Sequence, residues 1–206
     1  MSGPLKILYF PFNGRAFAAQ TCLKIGGIEF VDEKCSFSEL SALRGESGMS
    51  EDIPYGSVPV MTLPSGEKIT QSMAIARYCA KLAKLYPEDF EKAVLVDEIM
   101  AIVEDMLGSC PKGPPDADEK KRQREEWAKE KLTKFFTFVA SKLAKRGPYV
   151  TGGVLTVADI CLYQSIKLVR SGSFDYVPPD SDAAYPALQA FIDTMEVDEV
   201  FAPYKY

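Results

Sequence analysis

The chain has 206 residues, 47% hydrophobic and 26% charged, enough to bury one sizeable core or two small ones. A net charge of −5 gives no footprint for nucleic acid or an anionic membrane, and no apolar run approaches the ~18 residues of a membrane span. Histidine is absent, which removes the usual general base, the Ser–His and Cys–His pairs and the commonest metal ligand.

Lys6–Phe10 reads as a strand, and Arg15–Ile25 as a helix with Ala16, Ala19, Cys22 and Leu23 on one face, stopped by Gly26-Gly27. Ile28–Asp32 is a second strand, followed by a polar loop, rich in Ser and Gly, from Ser36 to Asp52. Val60–Leu63 and Lys68–Thr70 are short strands joined by Pro64-Ser65-Gly66-Glu67, which has good hairpin chemistry. Ser72 is a favoured N-cap type, and Ile75, Tyr78, Cys79, Leu82, Leu85 and Tyr86 then recur at helical spacing. This β-α-β then β-β-α order has the layout of a thioredoxin-like domain with a mixed sheet.

Proline breaks the pattern at Tyr86-Pro87-Glu88-Asp89, and everything beyond reads helical. Leu95, Ile99, Ile102, Val103, Met106 and Cys110 form a stripe that ends at Pro111–Pro115. One long helix runs from Asp118 through Leu132, Phe135, Phe136, Val139 and Leu143, its first half a charge-paired solvated face. Thr156 and Asp159 form a capping box, with Leu155 and Ile160 at the staple positions. Tyr185-Pro186 opens a last helix with Leu188, Phe191, Ile192 and Met195 inward. The reading is therefore two domains: residues 1–83 as a thioredoxin-like α/β domain and residues 90–206 as an all-helical bundle.

Five cysteines, Cys22, Cys35, Cys79, Cys110 and Cys161, lack C-x-x-C spacing. Their odd number, and the short run from Met1-Ser2-Gly3-Pro4 into the first strand, favour reduced thiols in a cytoplasmic protein without a secretory leader.

The segment from Pro54 to Tyr86 describes a backbone site for a small peptide-like anion. A helix start at Gln71-Ser72 presents unpaired N–H groups and a partial positive charge to a carboxylate. If the Val58–Pro59 bond is cis, Val58 turns its own N–H and C=O toward a ligand. Alone, a serine cap is usually only a cap and most Val-Pro bonds are trans, so the order of the parts carries the case.

Pro54-Tyr55-Gly56-Ser57-Val58-Pro59-Val60, Gln71-Ser72-Met73-Ala74-Ile75-Ala76-Arg77-Tyr78 and Leu8-Tyr9-Phe10 with Gly14-Arg15 together resemble the cytosolic glutathione transferases of the tyrosine type. In pattern they are closest to the sigma class. The resemblance implies glutathione as co-substrate, no metal, a small hydrophobic electrophile and a homodimer. It implies that Tyr9 donates a hydrogen bond to the glutathione sulfur and that Arg15 adds positive potential there. Without the resemblance, Tyr9 reads as an amphipathic core aromatic and Arg15 as a surface cation. A free thiol has a pKa near ~8.5, so donors that favour the thiolate are the catalytic requirement, and no histidine is needed.

By the same resemblance Gln71 and Ser72 hold the γ-glutamyl group, and the Val58 backbone pairs with the cysteinyl part. Ser57 stands where relatives often carry glutamine. The tryptophan and lysine that usually hold the glycine carboxylate are missing: Trp127 lies in the wrong half, and Arg44 is the substitute in the Ser36–Asp52 loop. Asp105 matches an aspartate that reaches the γ-glutamyl amine in the partner subunit. Phe10, Asn13, Met106, Cys110 and the Phe201–Tyr206 tail are candidates for the electrophile site, inseparable by sequence from packing residues. The expected activity is conjugation of glutathione to such electrophiles. The alternatives are a glutathione-dependent isomerase of prostaglandin-type endoperoxides and a non-catalytic, crystallin-like or scaffold member.

Overall fold

Alternation carries the first strand: in β1 (Lys6–Tyr9) Ile7 and Tyr9 are buried, while Lys6 and Leu8 are half-buried. The computed structural model describes residues 3–113 and 116–201. They form two units, the first ending at Tyr86 and the second beginning at Pro87.

In the first unit β2 (Val31–Lys34) pairs parallel to β1, with Tyr9 opposite Lys34. β3 (Val60–Thr62) pairs antiparallel to β1 on the other side, and β4 (Lys68–Ile69) antiparallel to β3. The sheet order is β2-β1-β3-β4, a mixed four-stranded sheet. The β3–β4 turn closes as expected: Glu67 C=O accepts from Leu63 N–H at 2.8 Å, and Gly66 takes φ 92°, open to glycine without strain. Helices α1 (Phe17–Ile25) and α3 (Ser72–Leu82) pack on each other. Their ends approach so closely that a Cβ at Gly26 would lie 2.8 Å from that of Ala83. Cys79 of α3 meets Met61 of β3 at 3.9 Å, and Gln20 of α1 donates to Asp32 of β2 at 2.8 Å, tying both helices to the sheet.

Three local differences from the sequence reading have physical causes. β2 begins at Val31, not Ile28, because Ile28 N–H bonds back to Leu23 C=O at 2.9 Å and completes the glycine cap of α1. The expected polar loop contains a helix, α2 (Phe37–Arg44). A capping box nucleates it: Ser36 N–H donates to the Glu39 carboxylate at 2.7 Å, and Glu39 N–H donates to the Ser36 hydroxyl at 3.2 Å. Only Leu40 of α2 is buried, so its apolar periodicity is faint. Ser72 is the first helical residue of α3 rather than its cap, and Gln71 stands at the cap with no side-chain capping bond.

The second unit is helical. α4 (Phe90–Ser109) is capped by Asp89, and α5 (Ala117–Trp127) by Asp116. The single long helix expected from Asp118 is divided: a π-helical turn, Ala128–Leu132, separates α5 from α6 (Thr133–Arg146). Trp127 and Leu132 are five residues apart and both buried, a spacing a π turn accommodates and a regular α-helix does not. In α7 (Val157–Arg170) the first ten residues are all buried. Asp159 secures its start, accepting from Val150 N–H at 2.7 Å and from Thr156 N–H and hydroxyl at 2.8 and 2.9 Å. Pro186 occupies the first turn of α8 (Pro186–Met195), as its missing N–H allows. The thioredoxin-like α/β plus all-α fold class is the one observed. Among the described residues no helix is long and apolar enough to cross a membrane.

Candidate active site

Strand register gathers residues that are far apart in sequence. Leu8 faces Val60 and Met61 faces Ile69, so continuing the ladders sets Pro59 beside Tyr9 and Gln71 beside Pro59. Cys35 N–H donates to Tyr9 C=O at 3.0 Å, which brings the start of α2 to the same end of the sheet. Tyr9, Val58–Pro59 and Gln71-Ser72 therefore share one sheet end, at the C-terminus of β1, the side where α/β sheets place ligands.

The Tyr9 ring is 5% exposed and packs against Phe10 and Phe12, with ring centroids 5.3 and 5.8 Å away. Its hydroxyl oxygen accepts a hydrogen bond from Arg15 N–H at 2.9 Å. Burial raises the phenol pKa above its usual 10.0, partly offset by that N–H and by the Arg15 charge, so the hydroxyl keeps its proton at neutral pH. With one lone pair taken by Arg15 N–H, the O–H is left to donate elsewhere.

The Val58–Pro59 bond is cis. Val58 is buried, yet neither its N–H nor its C=O makes a hydrogen bond among the described residues. Gln71, the residue leading into α3, has φ 73°, a left-handed conformation that costs a non-glycine residue about 1 kcal/mol or more and that clusters at ligand clamps. Its C=O accepts from Ala74 and Ile75 N–H, both at 3.0 Å. Ser72 is half-buried and its hydroxyl makes no hydrogen bond among the described residues. The first turn of α3 carries no acidic residue, so its positive end is uncompensated.

This sheet end thus combines a protonated hydroxyl, a buried open peptide pair and an open helix start, a set of donors suited to a thiol-bearing peptide with a carboxylate. Residues 104–205 match the family model described as "Glutathione S-transferase, C-terminal domain". The chain is 30% identical over 189 residues to glutathione S-transferase alpha I of Oryctolagus cuniculus, covering 88% of this chain and 78% of that one. The chain belongs to the glutathione S-transferase family. It is also 27% identical over 198 residues to glutathione S-transferase 2 of Manduca sexta, covering 92% of this chain and 90% of that one. Its fold superposes on prostaglandin synthase D of Nilaparvata lugens with a TM-score of 0.81, at 23% identity and with 98% and 94% of the chains covered. As a glutathione transferase the protein is an enzyme.

Arg44 ends α2, half-buried, and its Nε is buried without a hydrogen-bond partner among the described residues. Ser57 is exposed beside Val58. Asp105 belongs to the second unit, exposed on α4, where it lines a groove of about 820 Å³ with Met106, Lys131, Lys134, Phe135 and Phe138. Trp127 is occupied within that unit, donating to the Ser109 hydroxyl at 3.0 Å. Residues 202–206 of the aromatic tail lie outside the described residues, as do Met1, Ser2, Pro114 and Pro115. Among the described residues no group of three or more Cys, Asp or Glu side chains is placed to hold a metal.

The sequence reading missed Phe12 and Phe37. They stack with Phe10 into an aromatic cluster next to Tyr9, the Phe10–Phe37 centroids 4.3 Å apart and Phe37 71% exposed. The signal was available in the Ser36-x-x-Glu39 box, which puts Phe37 on the first turn of a helix rather than in a loop.

Proposed function

We propose that this transferase adds the thiolate of glutathione to small hydrophobic electrophiles such as activated arenes, epoxides or unsaturated carbonyls, and that it is a sigma-like member of its family. Tyr9 donates a hydrogen bond from its hydroxyl to the sulfur and favours the thiolate, and Arg15 adds positive potential where negative charge develops. Gln71 and Ser72 hold the γ-glutamyl carboxylate on the α3 helix start, Val58 pairs its open backbone with the cysteinyl residue, and Arg44 takes the glycine carboxylate. The phenylalanine cluster at Phe10, Phe12 and Phe37 offers aromatic faces to an arene co-substrate. Two copies of the chain form a homodimer in which Asp105 reaches the γ-glutamyl amine of the ligand in the partner subunit. The protein works in the cytosol, its five cysteines free thiols.

One observation carries this reading: the Tyr9 hydroxyl, held by Arg15 N–H, is a fixed donor at the sheet end where Val58 and Ser72 are open. Glutathione and an activated chlorinated arene supply the test. Steady conjugation saturable in glutathione is expected, and no turnover across a panel of arenes, epoxides and enones would overturn this choice of electrophile.

A further inference from the structure

We propose that Gly14 is a positioning residue for the Tyr9 hydroxyl, its lack of a Cβ leaving the only space in which that oxygen can sit and still donate to the sulfur. The inference rests on the proposed role of Tyr9 and assigns a reason to the glycine beside it. A methyl group built on Gly14 would fall well inside the contact radius of Tyr9 Oη and 3.1 Å from ring atoms Cε1 and Cζ. The backbone of Gly14 lies outside the left-handed region, so conformational freedom does not demand glycine there. What demands it is the close approach of the phenol.

The peptide group between Gly14 and Arg15 is held from both ends. Its C=O accepts from Phe17 N–H at 2.8 Å, in the first turn of α1, and its N–H donates to the Tyr9 hydroxyl at 2.9 Å. The glycine therefore cannot swing aside without opening the start of α1. The tyrosine cannot retreat either: its ring is buried and flanked by Phe10 and Phe12. A side chain at position 14 would expel the hydroxyl from its bond with Arg15 N–H and re-aim the donor, and a misplacement of about 1 Å can cost about 100-fold in rate.

The test is a double-mutant cycle on the full chain with Gly14→Ala, Tyr9→Phe and the two combined, read by ultraviolet titration of bound glutathione, by kcat and KM, and by thermal unfolding. Gly14→Ala alone is expected to lower kcat by about 10- to 100-fold and raise the pKa of the bound thiol, with KM for glutathione changed far less. In the Tyr9→Phe background there is no hydroxyl to displace, so adding Gly14→Ala is expected to change kcat and the thiol titration by less than about twofold. The melting temperature lost in Gly14→Ala should be partly recovered in the double variant, which loses the clash with the hydroxyl and keeps the 3.1 Å contacts with Cε1 and Cζ. Recovery of folding in the double variant, where Gly14→Ala alone does not fold, supports the contact equally. An unchanged thiol titration in Gly14→Ala, additive losses in the double variant, or failure of both to fold would overturn the proposal. An unchanged titration in Tyr9→Phe would instead remove the role of Tyr9, a separate result.

Discussion

The Tyr9 hydroxyl is bonded by the backbone N–H of Arg15, at 2.9 Å, and not by a side chain. A substitution at Arg15 keeps that bond and removes only the guanidinium charge, whereas a substitution at Tyr9 removes the donor itself. Tyr9→Phe is expected to leave glutathione affinity nearly intact and to lower turnover by roughly 10–100-fold, about 1.4–2.7 kcal/mol. The bound-thiol titration should move upward with it. Unchanged turnover together with an unchanged titration would take Tyr9 out of the mechanism.

Burial holds the Tyr9 phenol above its ordinary 10.0. Turnover should therefore rise as the glutathione thiol ionises, below its free value of ~8.5, and then stay level without a second ionisation of Tyr9. Difference spectra of wild type against Tyr9→Phe should place the midpoint of the Tyr9 tyrosinate band above pH 10.0. A tyrosinate band growing in together with the thiolate would assign the two protons the other way.

Ser72 starts α3 without capping it, and its hydroxyl makes no bond among the described residues. Ser72→Ala should change stability by less than about 0.5 kcal/mol, in contrast to the ~1 kcal/mol expected of a lost N-cap. Glutathione affinity, by calorimetric titration, should still fall about tenfold, ~1.4 kcal/mol. A stability loss without an affinity loss would make the residue structural only.

Asp159 is buried at the start of α7, where burial pushes its carboxyl up to about 6 against the pull of the Val150 and Thr156 donors. Because the folded carboxyl holds its proton more tightly than the unfolded one at 3.8, its stability contribution is fully present below pH 3.8 and is lost as the pH rises through about 6. Replacing it removes that slope and strands buried N–H groups of Val150 and Thr156. Asp159→Ala should destabilise the protein by about 2–4 kcal/mol at pH 7 in urea unfolding, with a flatter pH dependence between about 4 and 6. The thiol titration of the folded variant should not move, and a shift there would connect Asp159 to the chemistry.

Asp105 tests assembly. Light scattering is expected to give a homodimer at micromolar concentration, and Asp105→Asn should weaken glutathione a few-fold while the dimer persists. Mixing Asp105→Asn with Tyr9→Phe subunits tests the crossing: if Asp105 reaches across, a mixed dimer has one site with both defects and one with neither, and if it does not, each site has one defect. A monomeric wild type, or full affinity in Asp105→Asn, would rule the shared site out.

Local chemistry was legible in the sequence because its causes lie within a few residues. The turn at Gly66, the box of Thr156 and Asp159, Pro186 at a first turn and the apolar face of α3 depend on neighbours three or four positions away. Helix α2 was written there too, in Ser36-x-x-Glu39, but with Leu40 its only buried residue it lacked the apolar stripe that marks a helix. Tertiary structure decided the rest. Ladder register alone sets Tyr9, Pro59 and Gln71 side by side, and sequence carries no record of which strands pair. The positive φ of Gln71, which takes the cap from Ser72, arises where β4 turns into α3. The need for glycine at position 14 arises only once the phenol of Tyr9 has folded over it, because excluded volume between residues is a property of their packing and not of their order.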